Sequence, residues 1–176
     1  MTRREYLYVG PNEIRDAARR QPTGTRISSL ADIRSWLTIS QTDRMKDGSF
    51  IATFTITLNE ELLIAPRRSE HVACASGGPV LSAGEITFDD NLAVIEVTNQ
   101  STGFCPEPES WASVASSLDR IGLVHPGRFT TEVIFRLCLM CHERNVVKDS
   151  WYYCAMCDAK LPEHWNLACA ENAGEQ

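Results

Sequence analysis

Three observations predict an α+β fold. Apolar residues recur at helical spacing near both ends of the N-terminal part and again over 111–121. A period-two run begins at Phe50, and two Cys-x-x-Cys pairs close the C-terminal part. The 176 residues suit one domain of ordinary size with a small appendage. A content of 43% hydrophobic and 23% charged residues is that of a globular protein, not of a disordered or fibrous chain. We therefore expect an α+β domain over 1–133, a metal-binding unit packed on it over 134–168, and a polar tail over 169–176.

Taken in order, Pro11-Asn12-Glu13 followed by Ile14, Ala17 and Ala18 predicts a short helix that Gln21-Pro22-Thr23-Gly24 ends. Ser29 caps a second helix, with Asp32 placed to return the cap hydrogen bond and Leu30, Ile33 and Leu37 as its buried stripe. From Phe50 the alternation of Phe50, Ala52, Phe54, Ile56 and Leu58 with Ile51, Thr53, Thr55 and Thr57 predicts a strand with one apolar face. Asn59-Glu60 reads as the turn into a return strand over 61–64. Further strands are expected over 71–75, 80–83, 85–88 and 92–98, with Asp89-Asp90-Asn91 as a tight turn. Ser110 caps a third helix whose apolar positions are Trp111, Val114, Ala115, Leu118 and Ile121, and Gly122 with Leu123 fits its C-terminal cap. A strand over 129–137 then runs directly into the first cysteine pair.

The formal charge is −6. Up to Arg26, six arginines face Glu5, Glu13 and Asp16, so this stretch carries +3 and the remainder −9. A solvated helix face for Arg15, Arg19 and Arg20, opposite the apolar stripe, is favoured over contact with an acidic partner. The acidic balance makes nucleic acid a poor partner. No apolar run has the roughly 18–20 residues that cross a bilayer, and no apolar signal core follows Arg3-Arg4, which points to a cytoplasmic, reducing setting.

Seven cysteines are present, at 74, 105, 138, 141, 154, 157 and 169. Cys138-Leu-Met-Cys141 and Cys154-Ala-Met-Cys157 are separated by twelve residues. Each pair makes a tight turn that brings two sulfurs to one point, and a hairpin between the pairs lets the two turns face each other around a tetrahedral ion. Asn145 stands near the start of that hairpin, Lys148-Asp149-Ser150 at its turn, and Trp151-Tyr152-Tyr153 as the strand delivering Cys154. Four thiolates leave no open coordination position, so the ion, one Zn²⁺ per chain, is structural, and the formal charge moves from −6 to −8. A redox dithiol is the rival reading of a single pair. His142 is read as a solvent-facing residue of the turn, and Cys169 as a free thiol.

Residues 134–166, carried by the four cysteines and the Lys148-Asp149-x-Trp151-x-Tyr153-Cys154 approach, resemble the zinc ribbon and rubredoxin-like family. That resemblance implies strand-knuckle-strand pairs holding one metal. In the centre of the chain, His71, Gly77-Gly78, Ala83-Gly84, Ser101, Gly103-Phe104 and Pro106 precede a helix ending in Gly122. The pattern resembles a module of plant IQ-motif calmodulin-binding proteins and of bacterial proteins of unknown role; it implies a fold and no chemistry, and no IQ motif accompanies it here.

His71, Glu85 and Cys105 are the candidate catalytic residues. With Asn99 as orienter they are the residue types of a thiol nucleophile and its base, set against a buried Cys105 that Pro106 follows. Asn99, Gln100, Ser101 and Thr102 form a row of uncharged donors and acceptors, suited to a small polar ligand or to tying down a loop, and the loop is favoured. Ser76-Gly77-Gly78 lacks the lysine and helix of a phosphate loop. The expected function is a zinc-binding cytoplasmic protein that acts as a binding or regulatory module with a protein partner or small polar ligand. The alternative is a small enzyme or polar-ligand-binding protein with a cleft around His71, Glu85 and residues 99–102.

Overall fold

The computed structural model describes residues 3–40 and 44–167. Helix α1 (Asn12–Ala18) and strand β1 (Thr25–Ile27) precede helix α2 (Leu30–Ile39). Ser29 Oγ accepts the Asp32 amide at 3.3 Å while Asp32 Oδ2 accepts the Ser29 amide at 2.9 Å, the expected reciprocal cap. On α1, however, Ile14 is exposed, Arg15 is half-buried and the Arg19 side chain lies against Gly77, so the expected apolar stripe and solvated arginine face hold only in part.

Strand β2 (Phe50–Ile56) turns at Glu60 into β3 (Leu62–Pro66), and β4 (Ser82–Phe88) and β5 (Val94–Val97) complete a sheet in the order β1-β3-β2-β4-β5, antiparallel throughout. Phe50, Phe54 and Ile56 bury one face against Ile33 and Trp36 of α2 and against Val114 and Leu118 of helix α4 (Trp111–Ile121), with Phe50 and Phe88 stacked at 4.9 Å. The expected apolar face of β2 is present, but the opposite, threonine face is not left to solvent. Thr53 and Thr55 on the other side are also buried, because helix α3 (His71–Cys74) covers them. Their hydroxyls stay satisfied: Thr53 donates to the Arg67 and Ser69 carbonyls, and Thr55 meets Cys74 Sγ at 3.5 Å.

The segment expected as a strand over 71–75 is this α3 turn. Ser76 and Gly77 adopt left-handed φ of 52° and 76°, and the Gly77 amide closes the turn on the Val72 carbonyl, so the chain cannot run on extended. The two strands expected over 80–83 and 85–88 are one strand, β4, with Val80 making an isolated bridge to Tyr6. Gly84 passes through its middle because a Cβ there would lie 1.9 Å from the Thr98 carbonyl oxygen. Asp89 Oδ1 takes the amides of Asn91 and Ala93 and forms the expected turn.

Ser110 does not cap α4. It belongs to a 3-10 turn over Pro108–Ser110 that feeds the helix, and its hydroxyl bonds Ser82 Oγ at 2.9 Å. The C-terminus behaves as expected, with Gly122 at φ 81° and the Leu123 amide returning to the Leu118 carbonyl. The described residues thus hold four α-helices, one more than expected. Of the strand expected over 129–137 only β6 (Ile134–Leu137) forms a ladder, antiparallel with β7 (Arg144–Val147).

Candidate metal centre

The β6–β7 ladder spans the first cysteine pair, not the segment between the two pairs. Cys138 donates its amide to the Glu143 carbonyl at 2.9 Å, and His142 donates to the Cys138 carbonyl at 3.0 Å, with His142 in the left-handed region at φ 59°. The second pair repeats this: Cys154 donates to Ala159 at 2.8 Å, Asp158 donates to Cys154 at 3.0 Å, and Asp158 has φ 57°. The segment expected as the strand over 151–153 is reduced to bridges Lys148↔Trp151 and Tyr153↔Lys160. It turns through Asp149 and Ser150, at φ 51° and 56°, a geometry that restores the twist of a tight hairpin.

These two knuckles bring the four sulfurs within 4.8 Å of one another. Cys138 and Cys157 lie 3.5 Å apart and Cys141 and Cys154 3.6 Å, too far for disulfides. A tetrahedron with metal–sulfur bonds of about 2.3 Å has edges of about 3.8 Å, so the cluster can hold a metal ion and is compatible with a zinc ribbon. His142 is not among the clustered ligand groups. Cys138 and Cys154 are buried, whereas Cys141 and Cys157 are exposed.

The thiols do not ionise alike. Burial raises Cys154, but the amides of Met156 and Cys157 and the Asn145 side chain outweigh it and bring it down to about 6. The Glu143 peptide lowers Cys141, yet burial and the three neighbouring sulfurs push it up to about 12. Full ionisation of such a group calls for a cation at its centre.

Asn145, a buried residue of β7, joins the two knuckles. Its Nδ2 donates to the Glu143 carbonyl at 2.9 Å and to Cys154 Sγ at 3.4 Å, and its Oδ1 accepts the Ala155 amide at 2.9 Å. Its position near the start of a hairpin, all that the sequence indicates for it, does not reveal this role. The signal available was a polar residue at an inward position, between the outward Arg144 and Val146.

The other candidate residues have different partners. His71 Nε2 donates to the Gly84 carbonyl at 3.0 Å, and Glu85 faces Arg67 at 3.6 Å. Cys105 Sγ donates to the Thr102 carbonyl at 3.4 Å, and burial pushes this thiol up to about 11 despite Arg144 nearby. Among the described residues no hydrogen bond joins His71 to Glu85 or to Cys105. Asn99 is fully buried, donating to the Pro106 and Val133 carbonyls at 2.8 and 2.7 Å and accepting the Val133 amide at 2.7 Å. Gln100 is exposed, Ser101 Oγ is buried without a partner, and the Thr102 carbonyl receives Arg144 at 2.8 Å. Cys169 lies outside the described residues.

A cavity of ≈ 990 Å³ opens instead where the N-terminal segment, the start of α4 and the metal-binding unit meet, and a second of ≈ 400 Å³ lies beside α3; none of His71, Glu85, Cys105 or residues 99–102 lines either one. The larger is bounded by a buried ion pair, with Arg136 Nη1 on Glu107 Oε1 at 2.7 Å and Nη2 on Oε2 at 3.3 Å. Arg136 also donates to the Phe135 and Glu163 carbonyls, which satisfies the guanidinium. An arginine inside the apolar stretch Phe135-Arg136-Leu137 was the sequence signal for it. No protein-family model, no curated protein and no solved structure matches this chain.

Proposed function

We propose that Cys138, Cys141, Cys154 and Cys157 hold one structural Zn²⁺ in a ribbon packed against an α+β domain, and that the protein acts in the cytoplasm as a binding or regulatory module for a protein partner. The observation that carries the metal reading is the convergence of four sulfurs, presented by two knuckles of the same construction, within 4.8 Å. Four thiolates saturate a tetrahedral ion, so the ion supplies folding energy and leaves no position for substrate. The arrangement also supports a reducing compartment, because a disulfide between any two of these sulfurs would abolish the site. Among the described residues no helix is long and apolar enough to cross a membrane.

The binding role is supported by what the ribbon displays. Trp151 and Tyr153, both exposed, lie against each other with ring centroids 4.7 Å apart and planes tilted by 37°, where they add nothing to a core. Elemental analysis of protein purified without added metal tests the first half. One zinc per chain, with the quartet unreactive to thiol reagents until a chelator is added, is the expected result. Iron with visible colour, or no metal at all, overturns it.

A further inference from the structure

We infer that the metal-bearing end of the ribbon is a docking surface for a cationic amphipathic segment of another protein; the inference rests on the zinc and binding-module readings above. The middle residues of each Cys-x-x-Cys turn stand at that end. Leu139, Met140 and Met156 are 64%, 75% and 73% exposed. The four sulfurs lie within 4.8 Å of one another, so these three exposed side chains, each belonging to a turn that supplies two of the sulfurs, flank the same cluster. Ligation does not call for them. The knuckles are built from backbone hydrogen bonds and from the left-handed residues His142 and Asp158, so small polar residues would serve equally at the tips. Methionine has a flexible, polarisable side chain that adapts to the surface of a partner.

Charge selects the partner. Four thiolates around one divalent ion leave −2, and exposed Glu143 and Asp158 lie within two residues of Cys141 and Cys157. The nearby cations offset this only in part: Arg144 keeps its charge while bonding the neutral Thr102 carbonyl, but Lys160 pairs with Glu163 and Lys148 lies at the far end of β7, so the balance stays negative. The end of the ribbon is therefore an apolar tip with an acidic surround, complementary to apolar side chains flanked by lysine or arginine. A second copy in a symmetric contact would bring the same negative charge against it, and so would nucleic acid.

The test is binding of a fluorescent amphipathic peptide with one leucine face and one lysine face to the zinc-loaded full chain, compared with a peptide in which glutamate replaces lysine. The lysine peptide should bind, more weakly as salt rises, and the glutamate peptide should not. The double variant Met140→Glu, Met156→Glu should weaken binding by at least about tenfold, with zinc content and melting temperature unchanged. Glu143→Lys with Asp158→Lys should remove the salt dependence. Equal binding by the Met140→Glu, Met156→Glu variant, or by the glutamate peptide, overturns the inference. So does concentration-dependent self-association that this variant abolishes, or preference for a single-stranded oligonucleotide. Metal analysis on the same samples keeps the readings separate: a chain without zinc that still binds the peptide through these residues defeats the zinc reading alone. A zinc-loaded chain that does not bind defeats the docking surface alone.

Discussion

Two buried asparagines, one in each part of the molecule, have nearly identical surroundings by count and opposite meanings. Asn99 in the α+β part makes three side-chain hydrogen bonds, all to backbone groups of Pro106 and Val133. Asn145 in the ribbon also makes three, but one of its donors goes to Cys154 Sγ. The first ties a loop to the segment leading into β6. The second ties one knuckle to the other and reaches a sulfur of the four-cysteine cluster. A polar side chain therefore indicates chemistry only when its partners do, and the row from Asn99 to Thr102 is committed largely to its own backbone.

Substitutions at the two places should separate the parts. The largest effect belongs to Cys154→Ser. Structural zinc contributes on the order of 10–16 kcal/mol in small modules, so this variant should lose its metal and the amide protection of β6 and β7 in hydrogen exchange. Amides of β2 and β4 should keep theirs, and joint loss would show that the two parts form one cooperative unit.

Next is the ion pair that joins them. Glu107→Ala leaves the Arg136 charge buried without its partner, and denaturant titration should show a loss of about 3–5 kcal/mol. The double variant Glu107→Leu, Arg136→Met should recover most of it, and failure to recover would mean that the carbonyl contacts of Arg136 matter more than its charge pairing.

Asn99→Ala strands the Val133 amide and two carbonyls and should cost about 3 kcal/mol, with zinc content unchanged. Asn145→Ala should do the reverse: about 10–100-fold weaker metal retention in chelator competition and an altered sulfur-to-metal charge-transfer band after cobalt substitution, with the stability of the sheet unmoved. If both asparagines lower melting and neither alters metal retention, the contrast between them fails.

The smallest effect is on pH dependence. Burial, the largest influence, holds the His71 pKa below its usual 6.5, and the Gly84 carbonyl with Glu85 and Glu70 opposes it only in part. Below pH 6.5 the unfolded chain binds the proton before the folded one does, so stability present above that pH declines as pH falls toward the lower folded value. His71→Gln should flatten this limb of the stability profile.

The legible parts of the sequence were those with local causes. The reciprocal cap of α2, the Asp89 turn, the Gly122 cap and the alternation of β2 each depend on residues within one or two turns of chain. The quartet was legible for the same reason, since each knuckle closes on itself within six residues. What failed was decided elsewhere. The run His71-Val72-Ala73-Cys74 became a helix because it lies over Thr53 and Thr55 of β2, and Ser110 lost its cap role because Ser82 of β4 was there to meet it. The expected cleft around His71, Glu85 and residues 99–102 is likewise absent from the cavities above because His71 and Asn99 turn inward onto carbonyls.

By itself, then, the sequence determined an α+β fold, its turns and caps, and a four-cysteine cluster able to hold a metal ion, because short-range hydrogen bonding and residue spacing suffice for each. Tertiary structure alone decided that Asn145 rather than Asn99 reaches a sulfur, that Arg136 of β6 pairs with Glu107 of the loop before α4, and that Leu139, Met140 and Met156 are each left exposed. Those outcomes depend on which distant backbone groups arrive beside a side chain, and no local pattern carries that information.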